Sequence, residues 1–195
     1  MIVVLGGINI DLVTMSSRFP EEGETIIGTR FVTYTGGKGA NQAVACSRLG
    51  APTAMVGRVG NDLFKAQLIE SLKASGVDTS GVRTDPEHSS GVAVINIGAD
   101  GQNRIIQILG ANGACDQTEA KASIQALQSG VVLMLQMEVP LTVSLETARE
   151  ANKLGRIVIL DPAPAGPIPE EMYKYCNYIT PNETEAHALL GLQIN

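Results

Sequence analysis

Short apolar runs alternate with amphipathic stretches along most of this chain. Residues 2–7 read as a buried strand ending at Gly6-Gly7. Residues 39–49, GANQAVACSRL, read as a helix that Gly50 stops, with Pro52 behind it. Residues 53–59 are again an apolar strand, and Asn61 or Asp62 caps a helix that runs to Ser75 before Gly76. Farther on, the pattern predicts a helix over 117–128, a strand over 131–136, a helix over 141–154 and a strand over 156–161. A proline-rich loop, 162–169, leads to a short strand near 177–179 and a helix from Asn182 to Leu190. Repeated strand–helix units of this kind predict a mostly parallel sheet flanked by helices, an α/β fold.

Four extended pieces do not fit as crossover units: 10–14, 24–35, 91–97 and 103–109. The last two flank Gly98-Ala99-Asp100-Gly101, which carries an Asp-Gly hairpin signal. Together they predict a small second β-sheet, a lid at the edge of the main one, within a single unit covering 1–195. Ligands of such sheets bind beyond the carboxyl ends of the strands.

Composition narrows the picture. With three Phe, four Tyr and no Trp, the core must be aliphatic. A net charge of −6 argues against wrapping nucleic acid or coating an anionic membrane. Cys46, Cys115 and Cys176 form no CxxC or CxxH pattern, so neither a zinc site nor a dithiol is indicated, and a reducing cytoplasm is the simplest setting. No run is long enough to span a bilayer, and the N-terminal stretch lacks the basic start of a signal peptide.

The most unusual segment is Gly36-Gly37-Lys38-Gly39-Ala40-Asn41-Gln42. Its glycines let backbone approach a ligand, and the helix that follows turns free N–H groups toward the loop. It is neither a Walker loop nor a GxGxxG fingerprint; a merely flexible connection is the bland alternative. Asn9 and Asp11 share one face of a strand, where an amide beside a carboxylate suits vicinal hydroxyls. An Asx turn explains that pair equally well. Glu138 and Asp161 each follow a strand, where a solvated loop charge is the competing reading. Asn182 and Glu185 have the spacing of a capping box. His88 and His187 match no triad spacing and are read as structural, and the methionines as core fillers.

Segments spread over essentially the whole chain carry a resemblance. They are GGINIDLV, FPEEGETIIG, GGKGANQAVACSRLG, VGRVGNDLFKAQLIESLKASGVDTSGV, LMLQMEVP, DPAPA and YITPNETEAHALLG. In this order they resemble the ribokinase-like carbohydrate kinase family, also called the phosphofructokinase B family, with its ribokinase members most similar. The resemblance implies phosphorylation of D-ribose at its 5-hydroxyl by ATP, with Mg2+ required and a monovalent cation (K+) activating. It implies sugar contacts at Asn9, Asp11, Gly37, Lys38, Asn41 and Glu138, with Ala93 and Ile95 in the lid over the sugar. It assigns Asn182 to phosphate and Glu185 to magnesium through water. It also implies a homodimer paired through the lid. The family's asparagine before PAPA is Asp161 here. Its DTxGAGD segment, which holds the catalytic aspartate, does not occur in the 195 residues, which end at Gln193-Ile194-Asn195. The expectation is therefore the N-terminal sugar-and-lid portion of a kinase, inactive alone. A kinase for another sugar or nucleoside is the first alternative, and a non-catalytic sugar-binding or oligomerising module the second.

Overall fold

Strand β1 (Ile2–Leu5) is apolar on both faces because both faces are covered. The computed structural model describes residues 1–191; residues 192–195, the end of the expected unit, lie outside the described residues. β1 lies between β4 (Thr53–Gly60) and β8 (Val132–Leu135), parallel to both. With β5 (Asp78–Asp85), β9 (Ile157–Leu160) and β10 (Tyr178–Ile179) they form a six-stranded sheet in the order β10-β9-β8-β1-β4-β5, parallel throughout.

The two-residue period of β1 sends Val3 and Leu5 to one side and Val4 to the other. On the first side they pack with Ala120 of α3 (Gln117–Ala126) and Leu127 at its end, with Val143 and Ala148 of α4 (Leu141–Lys153), and with Met172 of α5 (Glu170–Tyr173). On the second, Val4 meets Ala40 and Ala43 of α1 (Lys38–Arg48) and Leu68 and Leu72 of α2 (Lys65–Ala74). No aromatic side chain is among the fully buried core residues, as the composition predicts. The chain is thus an α/β protein with helices on both faces of a parallel sheet.

The second sheet has four strands in the order β3-β2-β6-β7, formed by β2 (Asn9–Met15), β3 (Arg30–Gly36), β6 (Gly91–Ile97) and β7 (Asn103–Ile108). β2 and β6 run parallel; the outer pairs are antiparallel. The extended piece predicted at 24–35 needs correction, since 24–29 is loop and only Arg30 onward is strand. Thr25, Ile26 and Ile27 satisfy β-propensity, but the loop reaches β2 only where the Thr29 N–H meets the Met15 carbonyl at 2.7 Å, and no ladder forms before Arg30. The hairpin is present at the Asp-Gly turn, with Gly101 at φ 78°.

Sequence patterning missed β5 and the short α5. β5 reads DTSGVRTD, polar because it is an edge strand with much of its surface in water. Asp62 accepts the N–H groups of Phe64 and Lys65, so it serves the first turn of α2 although the helix starts three residues later.

A buried ion cluster joins β4, β5 and α3. Arg58 on β4 meets Glu119 at 2.5 Å, Asp116 at 3.0 Å and Asp85 at 3.2 Å. Glu119 is completely buried and also meets Arg83 at 3.1 Å. Desolvation alone would lower the Arg58 pKa; the hydrogen bonds it donates to Glu119 and Asp116, with the Glu119 charge, outweigh it and leave the pKa raised. Asp85 is held well below the usual carboxylate range, first by backbone N–H groups of His88 and Glu87. The His88 ring lies 3.0 Å from the same carboxylate. His187 lies within α6 (Glu183–Leu190). Among the described residues all three cysteines are free thiols, and no helix is long and apolar enough to cross a membrane.

Candidate functional site

The route from β1 into β2 is Gly6-Gly7-Ile8, and three packing facts there require glycine. A side chain at Gly7 would stand 2.4 Å from Glu138 Oε2. One at Gly39 would stand 2.8 Å from the Gly6 backbone, so α1 starts in direct contact with this turn. Gly37 has φ 92° and would put a Cβ 2.6 Å from the Gly7 carbonyl oxygen. The glycines of the two loops therefore bring the start of α1, the start of β2 and the loop after β8 to one place.

That place is a cavity of about 320 Å³ between the two sheets. Asn9, Asp11, Gly37, Lys38, Asn41, Ala93, Ile95 and Glu138 all line it, so the structure brings together every residue singled out for sugar contact. Ile105, Gln107 and Pro164 complete the lining. Ile105 and Gln107 were legible from hairpin register: Ile95 pairs with Ile105 and Ala93 with Gln107, so each pair shares a face.

Glu138 is the hub. It is almost fully buried and accepts the Lys38 backbone N–H at 2.6 Å, Gln107 Nε2 at 2.7 Å and Asn9 Nδ2 at 3.4 Å. The first of these sits at the start of α1, where the helix dipole favours a carboxylate. Asn9 is fixed in turn by Asn112, whose Nδ2 donates to Asn9 Oδ1 at 2.7 Å. Asn112 also clamps the Ile8 backbone, accepting its N–H at 2.9 Å and donating to its carbonyl at 3.2 Å. Asn112 was not read from sequence, since its partners lie more than a hundred positions away. Asp11, by contrast, accepts no hydrogen bond among the described residues. Half-burial, and then the Glu138 charge, raise its pKa above the usual carboxylate value. The cavity thus offers one satisfied and one unsatisfied carboxylate, together with amide groups, which is a set suited to hydroxyl donors.

Asp161, Asn182 and Glu185 do not line this cavity. Asp161 accepts Gln42 Nε2 at 3.0 Å, and its pKa is raised by burial and then by the Glu185 charge. Asn182 and Glu185 form a reciprocal capping box: Glu185 N donates to Asn182 Oδ1 and Asn182 N to Glu185 Oε2, both at 2.8 Å. Asn182 Nδ2 adds a bond of 3.0 Å to Glu185 Oε1. Each Glu185 oxygen keeps one lone pair, so this donor set fits a cation held through water and leaves little for direct ligation. Among the described residues no cluster of His, Cys, Asp and Glu is arranged to ligate a metal directly.

A parallel α/β sheet, a second β-layer and an acceptor-rich cavity between them define a class. The pfkB family of carbohydrate kinases matches residues 1–195, and the chain belongs to that family. It is 43% identical over 196 residues to the ribokinase of Schizosaccharomyces pombe, covering 97% of this chain and 62% of that protein. It is 36% identical to a deoxyribokinase of Salmonella typhi, covering 100% and 64%. The solved structure of Arabidopsis thaliana ribokinase complexed with ribose and ATP matches with a TM-score of 0.90 at 36% identity, covering 97% and 62%. The chain spans 62–64% of the length of these relatives.

Proposed function

We propose that the chain carries the sugar site of a kinase that transfers the γ-phosphoryl group of ATP to the 5-hydroxyl of D-ribose. The observation that carries this reading is the convergence of Asn9, Asp11, Lys38, Asn41 and Glu138 on one cavity. Asp11 accepts a sugar hydroxyl, Asn9 and Glu138 a second, and Ala93 and Ile95 cover the apolar face of the ring. The small sheet is then the lid. The relative bound to ribose and ATP supports both ligands. ATP comes with magnesium, which supplies charge neutralisation on the phosphates. Asn182 would serve the phosphates, and Glu185 would hold the ion through water. A monovalent cation activates, and no described residue is assigned to it.

Calorimetric titration tests the sugar. D-ribose gives saturable heat and binds about tenfold more tightly than 2-deoxy-D-ribose, the effect of one hydrogen bond lost at a satisfied site. The deoxyribokinase relative supports a second reading, in which 2-deoxy-D-ribose binds equally or better. No heat with any pentose overturns both.

We propose further that two copies pair through their lids. Phe31, Ile106 and Ile108 are exposed on the lid face away from the cavity, and β3 and β7 are open edges. Light scattering at high concentration returns twice the 20.5 kDa chain mass; a monomer mass refutes the pairing.

A further inference from the structure

Gln107 interrupts an otherwise apolar stretch of β7, IIQI, and it does so on the cavity face. Asp11 pairs with Ala93 and Ala93 with Gln107, so the three form one row across the lid sheet. The small Ala93 leaves open space between two polar neighbours. Gln107 Nε2 donates to Glu138 Oε1 at 2.7 Å. An ionised carboxylate only accepts hydrogen bonds, so the amide can face it only by its NH2 end. The other end, Oε1, receives no donor among the described residues. An amide anchored at its nitrogen is an acceptor whose direction is fixed in advance.

We infer that Gln107 determines specificity: its Nε2 holds the Glu138 carboxylate in place and its Oε1 accepts one particular sugar hydroxyl. The inference rests on the sugar-binding reading above. A pentose lacking that hydroxyl leaves the partly buried Oε1 unpaired and is rejected, as sites built to bond a hydroxyl reject its deoxy analogue.

The test titrates D-ribose and its 1-, 2-, 3- and 5-deoxy analogues into the wild type and Gln107→Leu. In the wild type one analogue falls about tenfold or more below D-ribose through Oε1. In Gln107→Leu that single gap shrinks to about twofold while the others persist. Identical gaps in both proteins overturn the inference and leave the sugar site standing. A wild type that binds no pentose overturns the site itself and the inference with it. A second variant decides the matter if Gln107→Leu binds too weakly to rank. Gln107→Glu sets a new carboxylate against Glu138, so its D-ribose affinity is poor at neutral pH and recovers in mild acid as the pair takes up a proton. Wild-type affinity shows no such recovery in acid, because protonation of Asp11, whose pKa is raised by burial and then by the Glu138 charge, only weakens it. A Gln107→Glu profile parallel to the wild type overturns the inference.

Discussion

Replacing Arg58 with methionine destabilises the protein by about 3–5 kcal/mol, the usual cost of leaving buried charge without its partner. Arg58 is only 7% exposed, and its removal leaves Glu119, at 0%, with Arg83 as its remaining cation. Asp85 loses its guanidinium as well, although the His88 and Glu87 N–H groups stay. Urea unfolding measures the change as a lower midpoint at unchanged slope. A double replacement, Arg58→Met with Glu119→Gln, recovers part of the loss because the stranded charge is gone. A single-variant change below about 1 kcal/mol, the range of exposed pairs, would show that the cluster does not hold β4 to α3. Acid acts on the same cluster in the wild type. Asp85 and Asp116 have folded-state pKa values below their unfolded ones. Their contribution is therefore complete above the unfolded carboxylate pKa, and it is lost as pH falls through the folded values.

Glu138→Gln weakens D-ribose binding by about 10- to 100-fold, from the 1.5–3 kcal/mol attached to a hydrogen bond with a charged group. The substitution keeps the shape but exchanges one acceptor for an NH2 group among three donors: Lys38 N, Gln107 Nε2 and Asn9 Nδ2. Lys38 N loses its partner if the NH2 group takes the Oε2 position, and Gln107 Nε2 and Asn9 Nδ2 both lose theirs if it takes the Oε1 position. A pH series adds a readout that misfolding would not produce. Wild-type affinity declines as acid protonates Asp11, whose pKa is raised by burial and then by Glu138. In Glu138→Gln the charge contribution disappears while burial remains, so the decline moves to lower pH. Calorimetry from neutral to acid pH follows both effects; an unchanged affinity and an unchanged midpoint would remove Glu138 from the sugar site.

Much of the fold was legible because its central strands are covered on both sides. IVVL at β1 and VLML at β8 are continuously apolar, and such runs admit few alternatives to a buried parallel strand. The hairpin announced itself through Asp100-Gly101, and the capping box through Asn182 and Glu185. β5 was not legible, because an edge strand keeps polar residues on its wet positions and so looks like a loop. The motif residues of the cavity could be found as types in a pattern, whereas their supports could not. Asn112 is an ordinary asparagine in a glycine-rich turn until the fold sets it against Ile8 and Asn9. Gln107 shares a face with Ala93 by the hairpin register, but its bond to Glu138 appears only in the fold. Non-local pairing leaves no trace in local composition.

All four strands of the small sheet join the main body at the same end, at Asn9, Gly36, Gly91 and Ile108. The sheet is therefore hung like a flap from one edge. Met15 and Ile97 lie six residues out from that edge, about 20 Å at 3.3 Å per residue. A swing of about 10° would carry them about 3.5 Å, whereas Asp11, about 7 Å out, would move little more than 1 Å. Asn9, at the pivot, would keep its grip on Asn112 throughout. Leverage of this kind would fall on the outer rows, which would change the width of the cavity's mouth, while the polar residues nearest the pivot would keep their aim.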